Sequence, residues 1–96
     1  MFVSIRKYDG AGLLTEIDRL ARDEFVPILR SQVGFISYSI VDVGNGSVAS
    51  ISTFETRKHA DEANRSAREA VQRVFKTLLP NPPTVIMGEV VSHSGK

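Results

Sequence analysis

The chain has no cysteine and no tryptophan. Without thiols there is no disulfide, no thiolate-bound metal and no cysteine nucleophile, so a metal would have to rest on carboxylates and two histidines. The expectation is no metal and no cofactor. No run approaches the roughly 18 apolar residues of a membrane-spanning helix, and the opening "MFVSIRKYDG" passes straight into an alternating pattern without an apolar leader core. Together with the missing cysteine this predicts a soluble, cytoplasmic protein with no membrane partner. An excess of one charge is lacking too. Twelve Lys and Arg stand against eleven Asp and Glu, a net of +1, and the signs are interspersed. Nothing in that balance calls for a nucleic-acid partner. The matches "NGS" at Asn45 and "NRS" at Asn64 to a glycosylation acceptor carry no meaning without secretion.

What is present fits one small globular unit. Ninety-six residues, 42% hydrophobic and 24% charged, predict a single domain over residues 1–93 with a polar tail at 94–96. A domain of this size buries only about two-thirds of the surface its unfolded chain exposes, so assembly with a second copy would add burial.

Periodicity places the elements. "FVSIRKY" alternates Val3 and Ile5 against Phe2, Ser4, Arg6 and Tyr8, the period of a strand with two different faces. From Leu13 the apolar residues recur at helical spacing through Ile17, Leu20, Phe25 and Leu29, with Pro27 predicting a break near Asp23–Glu24 and a short further helix. Asn45-Gly46 between two alternating runs is a strong hairpin signal, predicting strands over about 35–43 and 47–55. Thr56 is the predicted N-cap of a second main helix whose stripe is Ala60, Ala63, Ala67, Ala70, Val74 and Leu78. "PNPP" at Pro80–Pro83 stops it, and "TVIMGEVV" supplies the last strand. The β-α-β-β-α-β order predicts an α+β, ferredoxin-like fold with a four-stranded antiparallel sheet.

The hairpin is unusually rich in serine, a poor strand former. Counting back from a two-residue turn pairs Val43 with Val48, Val41 with Ser50, Ser39 with Ser52 and Ser37 with Phe54. That count gives the helices a face with Val3, Ile5, Ile36, Tyr38, Ile40, Ala49, Ile51 and Ile86. The other face would then hold Phe2, Arg6, Tyr8, Phe54, Met87 and Glu89 with the serine column. A second copy of the same sheet is the simplest cover for such a mixed surface, predicting a homodimer through the sheet face.

The element order, "VGF" leading into "ISY", "STFET" running into an Ala-rich helix, and the ending "LLPNPPTVIMGEVV" resemble the dimeric α/β-barrel superfamily, close to antibiotic-biosynthesis-monooxygenase-like domains. The resemblance spans Phe2 to about His93. It implies a subunit whose sheet faces that of a second copy, pairing as a dimeric α/β barrel, with a cavity between sheet and helices or near the barrel mouth. Members of the superfamily include cofactor-independent monooxygenases acting on polyphenolic rings, haem-degrading enzymes, isomerases and proteins with no demonstrated reaction. The Trp of the monooxygenases, and the Asn, Trp and His set of the haem-degrading members, have no full counterpart here, since the chain has no Trp.

Several residues carry candidate chemistry. Arg6 and Glu89 are expected on one face of neighbouring strands, either as a cross-strand ion pair or with Arg6 as an anchor for an anion or phenolate. Tyr8 is either a proton donor to a bound oxygen or an interface residue. His59 is either a partly exposed helix histidine or an acid–base group, whereas His93 lies in the polar "SHSGK" run. Ser37, Ser39, Ser50 and Ser52 either line a hydrated ligand cavity or act as small spacers. Two functions follow: a monooxygenase-like enzyme acting on a small aromatic or polyketide-like compound, with Arg6, Tyr8 and His59 handling charge and protons, or a non-catalytic dimeric small-molecule-binding or stress-response protein. RNA binding by a related sheet would want a basic face with central aromatics, where "SVASISTF" offers serines.

Overall fold

The computed structural model describes residues 1–95, so Lys96 of the expected polar tail lies outside the described residues. Strand β1 is Phe2–Tyr8. A helical run follows as α1 (Leu14–Leu20), a π-helical turn (Ala21–Phe25) and α2 (Val26–Arg30). The hairpin is β2 (Phe35–Gly44) and β3 (Ser47–Phe54), then come α3 (Arg57–Val74) and β4 (Thr84–Glu89). The strands lie in the order β2-β3-β1-β4, and each neighbouring pair is antiparallel. This is the ferredoxin-like α+β arrangement that the order of elements predicts.

The interruption expected near Asp23–Glu24 takes the form of a π turn over Ala21–Phe25, and the short further helix is α2. Ile17, Ala21, Phe25 and Leu29 are the buried residues of the run, at a strict spacing of four. Such a spacing drifts around a helix of 3.6 residues per turn, and a wider turn takes up the drift while relieving the clash Pro27 would make with the carbonyl before it. Helix α3 begins where expected: the Thr56 hydroxyl accepts from the His59 amide at 3.1 Å. It stops at Val74, short of the prolines, because buried Phe75 turns inward and its carbonyl accepts from Leu78 and Leu79 at 2.7 and 3.0 Å.

The hairpin turn has positive φ at both central residues, Asn45 at 54° and Gly46 at 76°, as a type I′ turn requires. The strands beyond it are not in simple register. Gly44 opposes Ser47 but Asp42 opposes Val48, leaving Val43 as an extra residue, and a second irregularity falls at Ile36. The first bulge moves every later pair by one, so that Tyr38 opposes Ser52 and Ile40 opposes Ser50.

That shift corrects the expected faces. Tyr38 and Ile40 do face the helices, but so do Phe2, Ser4, Tyr8, Val48, Ser52 and Phe54, whose exposures run from 0 to 7%. The face without helices carries Val3, Ile5, Ala49, Ile51 and Ile86, all placed inside by a bulge-free count, together with Val41, which that count already put outside; Val41 and Ile86 are 42% and 65% exposed. Because side chains alternate, one extra residue exchanges the faces of everything paired beyond it. The serine column is thereby divided. Ser50 and Ser52 face the helices with Ser4, while Ser37 and Ser39 lie on the open face. Small residues on β1 and β3 meet the buried stripe Ala60, Ala63, Ala67 and Ala70, so that α3 lies directly on those two strands. Strand β4 is left exposed along its whole length.

Candidate functional site

Six polar side chains converge between the sheet and the helices: Arg6 and Tyr8 from β1, Tyr38 from β2, Ser50 and Ser52 from β3, and Asn64 from α3. They line an inner cavity of about 20 Å³ whose other walls are apolar, among them Ile17, Phe25, Leu29 and Phe75. That volume holds a water molecule rather than a ring. Arg6, Tyr8, Ala67, Val71 and Leu79 also line a larger cleft of about 510 Å³ that opens beneath Pro80–Pro83, so the polar cluster stands at the inner end of an open space.

Each polar group is held in place. A guanidinium can only donate, and Arg6 Nη1 donates to Asn64 Oδ1 at 3.1 Å; the Asn64 amide nitrogen rests 3.9 Å from Met87 Sδ. Among the described residues Arg6 has no carboxylate partner. The Tyr38 ring packs edge-on against Phe25, centroids 5.4 Å apart, and Phe25 meets Phe75 in the same way at 5.4 Å. Burial pushes the Tyr38 phenol well above its ordinary range, and nearby Tyr8 adds to this; Ser50 and Arg6 oppose it. Burial raises the Tyr8 phenol as well, against the pull of Arg6. Both tyrosines are therefore neutral donors at physiological pH, set beside a cation with no counter-anion.

The cleft mouth is braced by hydrogen bonds. Asn81 Nδ2 donates to the Asp9 carbonyl at 3.0 Å, the Gly12 amide donates to the Leu78 carbonyl at 2.8 Å, and Ser47 Oγ donates to Asp9 Oδ1 at 2.6 Å. The first two contacts tie the loop after β1 to the segment before β4, and the third ties it to the start of β3.

Of the residues singled out in the sequence, Arg6, Tyr8, Ser50 and Ser52 come together. Ser37 and Ser39 do not, because the bulge sends them to the opposite face. Glu89 is not the partner of Arg6: it opposes Phe2, whereas Arg6 opposes Val85, and its carboxylate stands 3.8 Å from the Met1 amino group. His59 lines none of this space. Its ring lies against the Gly34 backbone, and its Nδ1 is buried with no partner among the described residues. No three His or carboxylate groups among the described residues are placed to hold a metal ion. Tyr38 and Asn64 were missed as site residues. A signal for Asn64 was present, since it is a polar residue inside the alanine stripe, four after Ala60 and three before Ala67.

This arrangement of sheet and helices recurs in solved structures. The fold is the ferredoxin-like α+β fold, shared with several solved structures. A protein of unknown function from Nitrosomonas europaea aligns with a TM-score of 0.76 at 13% identity, over 99% of this chain and 93% of that one. A dimeric ferredoxin-like protein from an uncultured marine organism aligns at 0.74 and 15% identity, over 99% and 98%. A monooxygenase from Streptomyces coelicolor, solved with nanaomycin D, aligns at 0.69 and 20% identity, over 99% and 91%. At these identities the likeness is one of fold. No family model matches the sequence, and no curated protein matches it.

Proposed function

We propose that the chain forms a homodimer through its open sheet face and binds a small aromatic or polyketide-like compound in the cleft between sheet and α3, supporting a cofactor-independent, monooxygenase-like oxidation there. The observation that carries the reading is Arg6, without a carboxylate partner, beside two neutral phenols, Tyr8 and Tyr38, where the inner cavity adjoins the cleft. A ligand oxygen placed there meets one cationic and two neutral donors, an arrangement that favours a phenolate or enolate over its neutral form. The monooxygenase activity of a structurally similar protein supports the oxidative class.

The dimer is supported by the apolar character of the face that no helix covers and by the dimeric state of a protein with the same fold. A second reading, a non-catalytic dimeric binder, is favoured by one observation: the inner cavity has room for a water but not for a ring, so a ligand in the cleft reaches Arg6 with an edge only. The test is an NMR titration of the labelled protein with a dihydroxynaphthalene, followed by oxygen-electrode measurements on the same mixture. Shifts at Tyr8, Ala67 and Val71 with oxygen uptake that fails in Arg6→Gln support the enzyme. The same shifts without uptake support the binder, and no shifts at all defeat both.

A further inference from the structure

Three grooves among the described residues differ in charge. The broad groove between α3 and β4, about 710 Å³, mixes Arg57, Arg65 and Arg68 with Asp61 and Glu62, and Arg57 is paired with Asp61 at 3.8 Å. The inner cavity holds one cation. The cleft beneath Pro80–Pro83 is different, for its lining contains Arg6, Arg68 and Lys76 and no Asp or Glu. A chain with eleven acidic residues places none of them on this wall. None of the three cations is paired with a carboxylate among the described residues. Beside the neutral polar groups of Tyr8, Gln72 and Asn81, the rest of the lining is apolar, with Val71, Leu79, Val85 and three prolines whose φ angles are fixed.

We infer that the ligand of this cleft is an aromatic or polycyclic anion, with a carboxylate or phosphate group held among Arg6, Arg68 and Lys76 and its rings against Val71, Leu79 and the prolines. This rests on the proposed ligand cleft and adds the charge of what enters it. Unopposed cations in a concave, partly apolar site raise the local concentration of an anion and form charge-assisted hydrogen bonds with it. The prolines and the braced loop leave little of the wall to be ordered on binding. A neutral phenol of the same shape uses the apolar wall and leaves the cations solvated.

The experiment compares three probes that share one ring system, 2-naphthoate, 2-naphthyl phosphate and neutral 2-naphthol, by calorimetry and NMR at neutral pH on the full chain. The expected result is that at least one anion binds about 10-fold or more tightly than 2-naphthol, the difference one charge-assisted hydrogen bond makes. That preference shrinks as salt is raised. Arg68→Gln and Lys76→Gln, both at exposed positions on the cleft, lower anion affinity several-fold and leave 2-naphthol unchanged. The anion that binds more tightly identifies the carboxylate or the phosphate as the group recognised. Equal binding of all three, or anion binding indifferent to both substitutions, overturns the charge inference while leaving the cleft intact. No binding by any of them overturns the cleft itself and the inference with it.

Discussion

Removing the hydroxyl of Ser4 is expected to stabilise the protein. Ser4 is 1% exposed on β1, between Ser52 and Met87 on the neighbouring strands, and its Oγ has no hydrogen-bond partner among the described residues. Burying an unpaired hydroxyl costs about 1–3 kcal/mol. Ser4→Ala removes that cost and gives up the dispersion contacts of one oxygen, each worth about 0.1–0.2 kcal/mol. The net gain is then about 0.5–2 kcal/mol, and at about 4–8 °C per kcal/mol for a domain of this size Tm rises by several degrees. Urea unfolding followed by circular dichroism measures it, with protein concentration held fixed because the proposed assembly would contribute to apparent stability. Ser39→Ala, on the open face, serves as the reference and should stay within about 0.5 kcal/mol of the parent. A loss of about 1 kcal/mol or more in Ser4→Ala, at unchanged m, would refute the reasoning: the hydroxyl would then have a partner, and the floor beneath α3 would be a polar network and not a set of spacers.

Gly34 sits at φ +80° with any added Cβ driven into the His59 ring, so Gly34→Ala should cost about 1–3 kcal/mol. Adding His59→Ala should recover the steric part and leave left-handed strain of about 1–2 kcal/mol, which a double-mutant cycle in urea reads as coupling. Val41→Lys and Ile86→Lys, on the open face, should dissociate the proposed dimer at a cost of about 2–5 kcal/mol while leaving a folded monomer by sedimentation. Phe54→Asp, at 0% exposure in the core, should unfold the chain instead. The tyrosines give a pH dependence. Both phenols are raised in the fold, so the unfolded chain ionises first, near the ordinary value of 10.0, and the folded state resists. Their contribution is complete below that pH and is lost as pH climbs from there toward the folded-state values. The urea midpoint should therefore fall in strongly alkaline buffer, and fall less in a Tyr8→Phe, Tyr38→Phe variant; an equal fall would show that the tyrosines are not its source.

The local signals in the sequence were enough for the elements and not for their pairing. Asn45-Gly46, Thr56 and the alanine stripe each act through contacts a few residues apart, and each does in the structure what its chemistry dictates. Arg6 and Tyr8 were recognisable as polar residues on one strand face, and the structure unites them with Ser50 and Ser52. What alternation alone does not reveal is an inserted residue. Val43 is β-branched and apolar, indistinguishable in pattern from a regular strand position, so nothing marks it as the residue left out of the ladder. Glu89 and Arg6 were set together because they share a face, but the register separates them by four positions on β4. The π turn was illegible for a related reason: proline signals a disturbance without saying whether the helix breaks or widens.

The bulge at Val43 resolves a conflict that the sequence carries openly. In β2 the larger apolar residues suited to a core, Tyr38 and Ile40, fall on even positions, and in β3 Val48 and Phe54 are even too. In a regular hairpin with Asn45-Gly46 at its tip, paired positions sum to an odd number, so even residues of one strand oppose odd residues of the other. One set would have to face away from the helices. An extra residue makes the sum even, and both sets turn inward. The consequence reaches the site. Tyr38 opposes Ser52 and lies on the face that carries Arg6 and Tyr8, so the same inserted residue that completes the core brings the second phenol to the cation. It also leaves Ser39, Val41 and Ile51 together on the outside, on the open face proposed to meet a second copy. Core, site and partner face are thus set by one choice of register.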